Sequence, residues 1–139
     1  LTEVTVGSGF YSPTLFDNYQ QFCYAPAAAY AIEIVRQPTD HIYTCMGGGY
    51  VASGALGRDK LPLVHLPYGA KLTENEMAGE VQTPIQYKGS IDLQLGDPIF
   101  LRHAKAGELC ERFNELLLLH KGKLLSGVPT YRGEGQCFL

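Results

Sequence analysis

The clearest pattern along this chain is the alternation of large apolar side chains with smaller or polar ones, the period typical of half-buried β-strands. In residues 30–35 the large side chains fall at every second position, which predicts a strand. Pro38 and Asp40 then mark a turn, and residues 42–46 are rich in β formers. The pattern therefore predicts an antiparallel hairpin over this part of the chain.

Similar patterns predict further strands at residues 2–6, 80–87 and 97–103. Two short apolar segments, 116–120 and 124–128, lie on either side of residues 121–123 and predict a second hairpin. Pro84 should confine its strand to an edge or a bulge, because proline cannot donate a ladder hydrogen bond. We expect residues 10–22 to form an ordered loop with a short helical turn. Aromatic side chains would anchor it, namely Phe10, Phe16 and Tyr19. Residues 59–71, with two prolines, predict a loop.

One segment has a helical period. Leu109, Phe113 and Leu116 recur at helical spacing, so residues 106–115 predict a short amphipathic helix. Glu108 and Arg112 would form an i,i+4 pair on its exposed side. The fold expected is mainly β: a small antiparallel β-barrel or sandwich with one short helix, in a single domain over residues 1–139.

Composition narrows the possible partners. The chain has 139 residues, of which 45% are hydrophobic and 18% charged, with a formal net charge of −3. No basic stripe points to nucleic acid or to an anionic membrane. No apolar run approaches the ~20 residues that span a bilayer, and we expect no signal peptide. The first residue is Leu rather than Met, from which we expect an excised domain or a processed product.

The cysteines bear on the cellular compartment. The chain has four of them, Cys23, Cys45, Cys110 and Cys137, and none forms a C-x-x-C pair. A zinc ribbon or a thioredoxin-like site is therefore not expected. We expect reduced, mostly buried thiols in a cytoplasmic protein.

The densest group of reactive side chains follows the strand at 97–103. Ile99, Leu101 and His103 share one strand face, so His103 should lie at the rim of the core and point inward. An imidazole there needs a hydrogen-bond partner, a metal or a water. The alternative, which spacing alone favours, is a core-edge histidine bonded to a backbone carbonyl. Lys105 is either a cation for a substrate carboxylate or an ordinary surface lysine.

Three other polar groups have structural alternatives. Gly47, Gly48 and Gly49 could cradle an anion, but they match no phosphate-binding motif, and a tight turn or bulge is the favoured interpretation. Gln82 lies with Glu80 on the strand face opposite the apolar one. In the closing segment, residues 130–135, an arginine among glycines could clamp a carboxylate or a phosphate, although surface salt bridges are commoner.

Several blocks taken together resemble a known family. Residues 2–11 and 15–19 resemble the start of the C-terminal domain in the D-threonine aldolase and D-serine dehydratase family. Further blocks resemble a bacterial amino-acid deaminase/aldolase branch, related to alanine racemase, and they cover residues 46–54, 79–84, 102–108 and 130–135. The resemblance spans essentially the whole chain.

The resemblance implies that this chain is one part of a larger enzyme. An N-terminal barrel of the same gene product would bind pyridoxal phosphate and supply the Schiff-base lysine, a role that Lys105 does not take. The whole enzyme would be a cytoplasmic homodimer, a lyase, aldolase or deaminase acting on a D-amino acid such as D-threonine or D-serine. The isolated chain would be inactive. The alternative is a non-catalytic β domain that mediates dimerisation or ligand binding.

The resemblance also implies the site residues. His103 and Lys105 would be catalytic, and a further set would bind substrate or cofactor, namely Tyr11, Gln82, Tyr131 and Arg132. Relatives hold a divalent metal with a His-x-Cys or His-x-Asp pair, whose histidine matches His103. Lys105 stands at the second position, and its ammonium has no lone pair for a metal. Either the metal is lost, which we favour, or Glu108 or Cys110 replaces the missing ligand.

Overall fold

The hairpin predicted from the alternation at residues 30–46 lies at the centre of an antiparallel sheet in the computed structural model, which describes residues 1–105 and 107–138. Strand β1 spans Tyr30–Thr39 and strand β2 spans Ile42–Met46. The two strands pair antiparallel up to Thr39 and Ile42, on either side of a tight turn. Burial alternates over the first half of β1, as the sequence predicts.

Four more strands complete this sheet, β3 (Leu63–Leu66), β4 (Lys71–Leu72), β5 (Gln82–Gln86) and β6 (Pro98–Arg102). All neighbouring pairs are antiparallel, in the order β3-β6-β1-β2-β5-β4. The two edge strands, β3 and β4, also approach each other, so the six-stranded sheet is nearly closed and barrel-like. The prediction of a mainly β, barrel-like fold is confirmed.

The apolar core lies on one face of this sheet. Its most deeply buried side chains come from alternate positions of neighbouring strands, namely Ile34, Cys45, Ile85, Ile99 and Leu101. Alternation follows from the pleat, which sends successive side chains to opposite faces. The same rule explains why the strand positions of 30–34 could be assigned to faces from the sequence.

The predicted strand at residues 2–6 is wrong. These residues have no regular secondary structure, and Val4 and Val6 are exposed. Two valines give too little apolar surface to hold a segment in place, and none of the described strands pairs with it.

The predicted loop at residues 59–71 is wrong in part, because it contains β3 and the start of β4. A 3₁₀ helix, Arg58–Lys60, precedes β3. Pro62 lies just before β3 and Pro67 just after it, so the prolines bracket the strand and interrupt none of its hydrogen bonds. Prolines so placed end a strand without excluding it.

Pro84 lies in β5, between β2 and β4. It faces Thr44 in the β2 register, and its carbonyl accepts from the Thr73 amide on the other side at 3.2 Å. Strand β4 has only two residues and ends at Leu72, so Pro84 lies just past the short ladder between β4 and β5. The missing N–H of proline therefore breaks no bond of that ladder.

Two 3₁₀ helices, Ser8–Phe10 and Thr14–Asn18, precede β1 and agree with the ordered loop predicted there. The expected anchors differ. Phe10 and Tyr19 are exposed, whereas the half-buried Phe16 packs edge-on against Tyr19 and Phe22 in an aromatic cluster that also contains Tyr24. Aromatic side chains here contact one another at the surface of the chain.

The contacts of the chain group into two compact units, Leu1–Ala106 and Gly107–Leu139. The second unit contains helix α1 (Glu108–Arg112) and a hairpin of β7 (Glu115–His120) and β8 (Lys123–Pro129). The hairpin is confirmed, with positive φ at Lys121 (48°) and Gly122 (75°), as a two-residue hairpin turn requires. A single domain over 1–139 stays a prediction.

Helix α1 is shorter than predicted, because β7 begins at residue 115 and takes Leu116 into a strand. Of the predicted helix, Ala106 lies outside the described residues. Glu108 is buried rather than exposed, and Nε of Arg112 lies 3.3 Å from Oε1 of Glu111. In the described part of the chain, no helix is long and apolar enough to cross a membrane.

The core assignment can be tested by truncating one of two leucines. Leu101 is 0% exposed and Leu95 is 65% exposed. We expect Leu101→Ala to lower the free energy of unfolding by about 2–5 kcal/mol, because it removes buried methyl groups and leaves a cavity. Urea denaturation measures the change. The matched control, Leu95→Ala, should change stability by less than about 0.5 kcal/mol, and equal losses in both variants would contradict the assignment.

Candidate functional site

A partly buried ion pair lies at the end of β6. The guanidinium of Arg102 binds the Asp17 carboxylate through two bonds, Nη1 to Oδ2 at 2.8 Å and Nη2 to Oδ1 at 2.9 Å. Nη2 also donates to the carbonyl of Ser12 at 2.9 Å. This bidentate geometry is the strongest that arginine makes with a carboxylate. It fixes the segment 8–18 against the end of β6.

Backbone hydrogen bonds extend this attachment past the strand. The amide of Thr14 donates to the carbonyl of His103 at 3.0 Å, and the amide of Leu15 donates to that of Ala104 at 3.2 Å. The main chain at residues 103–104 is thus held by the main chain at residues 14–15. The position of the His103 side chain follows from these bonds.

His103 continues the inward face that Ile99 and Leu101 begin, and all three side chains are fully buried. The predicted shared face is present, although the imidazole lies deeper than the rim. Neither ring nitrogen has a hydrogen-bond partner among the described residues. The expected alternative, a bond to a backbone carbonyl, is therefore not made there. An unsatisfied buried polar group costs about 1–3 kcal/mol, so His103 calls for a partner from outside these residues.

The surroundings of His103 keep its ring neutral. Burial, and after it the positive charge of Arg102, lowers the pKa of His103 to about 4. At pH 7 the imidazole then offers one N–H donor and one lone pair. The ring of Tyr11 lies edge-on at a centroid distance of 6.1 Å and an interplanar angle of 75°. This arrangement can hold a proton donor or acceptor in a fixed orientation.

Lys105 is half-buried and lies near the glycine-rich segment 53–60. Its Nζ donates to the carbonyl of Ser53 at 3.1 Å. This bond attaches the ammonium of Lys105 to the main chain. Its role toward a substrate stays a prediction.

Gln82 is placed elsewhere in the first unit. It is exposed on β5, and its Oε1 accepts from Nη2 of Arg36 at 3.3 Å. The two side chains border an open groove of about 520 Å³ whose apolar lining comes from Val35, Met46 and Val81. Of the predicted residues in this unit, the structure thus brings Tyr11 and His103 together, and it shows Gln82 in contact with Arg36.

Tyr131 and Arg132, the predicted site residues of the second unit, each donate a hydrogen bond to a backbone carbonyl of that unit. The Tyr131 hydroxyl donates to the carbonyl of Gly107 at 2.8 Å, and Nη1 of Arg132 donates to the carbonyl of Glu111 at 3.0 Å. Burial, followed by the negative charge of Glu111, raises the pKa of Tyr131. These bonds attach the closing segment to α1 and its start. Their role in binding substrate or cofactor stays a prediction.

The glycines at 47–49 pack against backbone. The Tyr30 hydroxyl donates to the Gly48 carbonyl at 2.8 Å, and Thr83 Oγ1 donates to that of Gly47 at 2.6 Å. A Cβ at Gly49 would clash with the backbone of Gly79. The favoured interpretation, a tight turn with close backbone approach, is confirmed.

Potential metal ligands are not grouped around His103 in the described part of the chain. In the parts of the chain that the structure describes, no three His, Cys, Asp or Glu side chains are grouped so that they could hold a metal ion. Loss of the metal stays a prediction, as does the replacement role of Glu108 or Cys110.

The cysteines are all free thiols. Cys45 and Cys110 are buried, whereas Cys23 is exposed, so the expectation of mostly buried thiols is half right. Burial raises the pKa of Cys45 to about 12, which keeps this thiol protonated and unreactive at neutral pH.

Sequence reasoning missed the Arg102–Asp17 pair. The available signal was the position of Arg102 within an otherwise apolar strand, Pro98–Arg102. Arginine in such a strand needs a partner, but the partner is 85 residues away in sequence and no local pattern identifies it.

Comparison with known proteins adds no relative. No family model matches the chain, and no curated protein matches it closely. The resemblance to the D-threonine aldolase and D-serine dehydratase family therefore stays a prediction that rests on the sequence blocks given above.

The Arg102–Asp17 pair makes a direct prediction about stability. Asp17→Asn keeps the shape of the side chain and removes its charge, leaving a guanidinium that is 7% exposed without its counter-ion. We expect a loss of about 1–3 kcal/mol, less than for a fully buried pair because the Asp17 side chain is 45% exposed. Urea denaturation at pH 7 measures it. Asp40→Asn, in the exposed turn after β1, is the control, and an equal change there would refute a special role for Asp17.

Proposed function

We propose that this chain is the C-terminal β domain of a pyridoxal-phosphate-dependent lyase, aldolase or deaminase acting on a D-amino acid, most simply a β-hydroxy one such as D-threonine or D-serine. The chain would complete an active site whose cofactor is held by an N-terminal barrel of the same gene product. One observation carries the proposal: His103 is buried, and neither ring nitrogen has a partner among the described residues. The free thiols fit a cytoplasmic enzyme.

His103 has the properties of a group that holds or moves a proton. Its ring is neutral at pH 7, since burial and Arg102 lower its pKa to about 4. The attachment of segment 8–18 fixes its main chain, and Tyr11 limits the tilt of its ring. Such support keeps a reacting group oriented before a ligand arrives. Pyridoxal phosphate, when bound, supplies an electron sink for the carbanion formed beside the amino group.

Lys105 would act by charge. Lys105 follows His103 by two residues along the chain, and its ammonium donates to the Ser53 carbonyl. We propose that it orients the carboxylate or the leaving hydroxyl of the substrate. A metal ion has this role in the D-threonine aldolase and D-serine dehydratase family, which the sequence blocks resemble. The His103-x-Lys105 sequence supports this exchange, because an ammonium supplies positive charge without any ligand.

Among the remaining proposed contacts, Tyr11 is the best supported, because its ring lies beside His103. Gln82, Tyr131 and Arg132 each bind another group of the chain through the hydrogen bonds described above. A ligand would have to exchange with those partners. We therefore propose Tyr11 as a direct contact, and the binding of substrate or cofactor by the other three stays a prediction.

The proposal is tested on the whole gene product. We expect the visible absorption of enzyme-bound pyridoxal phosphate and turnover of D-serine or D-threonine. His103→Gln keeps a polar side chain of similar length but cannot carry the proton, so it should lower kcat about 10²- to 10⁴-fold while the cofactor absorption remains. His41→Gln, at an exposed turn, is the matched control and should leave activity unchanged.

Two results would contradict the proposal. A gene product without a barrel lysine and without cofactor absorption would remove the enzyme class. An active enzyme in which His103→Gln and His41→Gln behave alike would keep the class but remove His103 from the chemistry. D-alanine serves as the third substrate, because turnover of D-alanine alone would show that a β-hydroxyl is not required.

A second candidate, a non-catalytic domain that mediates dimerisation, is favoured by the hairpin of β7 and β8. This two-stranded sheet exposes large apolar side chains on both strands, namely Leu117, Leu118, Leu119, Leu124 and Leu125. An isolated hairpin is marginally stable, and exposed apolar strands with open edges tend to pair with another chain. The partner in this interpretation is a second copy of the chain.

The hairpin can be tested by a cross-strand substitution. Leu119 and Leu124 face each other in the register and are both exposed. We expect the double variant Leu119→Thr/Leu124→Thr, which keeps β propensity, to weaken self-association at least about tenfold in sedimentation experiments. Leu56→Thr, an exposed leucine outside the hairpin, is the control. A chain that is monomeric at all concentrations, or a dimer that resists the double variant, would remove this candidate.

A further inference from the structure

Two lysines from distant parts of the chain meet over one glycine. A Cβ placed at Gly54 would lie 3.3 Å from Cε of Lys60 and 3.8 Å from Nζ of Lys105. Lys60 belongs to the 3₁₀ helix before β3, and Lys105 follows β6. Gly54 is exposed and has φ +115°, a conformation that side chains rarely adopt, so glycine keeps this position between the two lysines free of a side chain.

A carboxylate of the chain already lies at this place. Lys60 Nζ forms an ion pair with Asp59, whose side chain is 58% exposed. The hydrogen bond from Lys60 lowers the pKa of Asp59, and the charge of Lys105 contributes in the same direction. Asp59 therefore lies in the field of both ammonium groups. Two positive charges and one negative charge leave this group of three with a net positive charge.

We propose that Lys60 and Lys105 form a binding site for the carboxylate of a small molecule, with Asp59 as the resident carboxylate that the ligand displaces. The assignment of the ligand as an amino acid rests on the proposed function, whereas carboxylate binding itself does not. Asp59 can leave at low cost, because it is exposed and exposed ion pairs are weak. Lys60 is held more firmly, since its side chain is only 14% exposed.

The charge and the geometry favour a carboxylate. The chain's own carboxylate already pairs with Lys60, so the ammonium accommodates that group. The backbone contact of Lys105, at the Ser53 carbonyl, keeps its ammonium beside Gly54. For two partly exposed ion pairs we expect a Kd in roughly the millimolar range. Asp59 would then tune affinity, because it competes with the ligand for Lys60.

The test is an NMR titration of the 139-residue chain with sodium acetate, at constant ionic strength maintained with sodium chloride. We expect saturable shifts of the Ser53, Gly54 and Lys60 amides. Lys60→Met and Lys105→Met should each weaken binding at least about fivefold, and Asp59→Asn should strengthen it about two- to fivefold. Lys88→Met, an exposed lysine outside this group, is the matched control. Unchanged spectra elsewhere show that each variant is folded.

The proposal would be overturned by shifts that do not saturate or by binding that survives both lysine variants. Weaker acetate binding in Asp59→Asn would also overturn it. A parallel titration with D-serine separates this site from the proposed enzyme. Carboxylate binding that depends on both lysines, in a gene product that turns over no D-amino acid, keeps the site and removes the proposed function. An active enzyme whose chain binds acetate without these lysines keeps the function and removes the site.

Discussion

The guanidinium of Arg102 joins two parts of the first unit that the sequence separates widely. Through Asp17 and the Ser12 carbonyl it holds the N-terminal segment against the end of β6. The segment in turn bonds to the backbone of His103 and Ala104. The pair and these backbone bonds hold the segment together, and losing the counter-ion of a largely buried guanidinium would weaken the attachment.

The attachment has an electrostatic consequence. Burial and the positive charge of Arg102 both lower the pKa of His103, which keeps its ring neutral at physiological pH. The ring then retains both a donor and an acceptor without partners among the described residues. Such a group lowers the stability of the chain, and proteins retain it where binding or catalysis supplies the missing partner. This is the physical basis of the function proposed for the domain.

The nearly closed sheet determines which loops meet. Since β6 lies between β1 and β3, the residues after β6 lie near the segment that leads into β3. Lys105 therefore reaches the Ser53 carbonyl and shares the space over Gly54 with Lys60. Among the glycines at 47–49, Gly49 packs closely against the backbone of Gly79, which constrains the path of the chain after β2. A phosphate-binding role is not needed to explain them.

Local pattern determined much of this protein. Alternation at 30–35 and the β formers at 42–46 identified the first hairpin, and the apolar segments on either side of residues 121–123 identified the second. The shared parity of Ile99, Leu101 and His103 identified the inward face, because a pleat has a period of two. Strand β3, between two prolines, and the absence of a strand at 2–6 were decided by the presence or absence of a partner strand, which no local pattern contains. The tertiary structure alone decided that Arg102 meets Asp17, that His103 is buried without a partner among the described residues, and that Lys105 approaches Lys60. These contacts join residues about 45 to 90 positions apart, and their formation depends on sheet order rather than on local propensity.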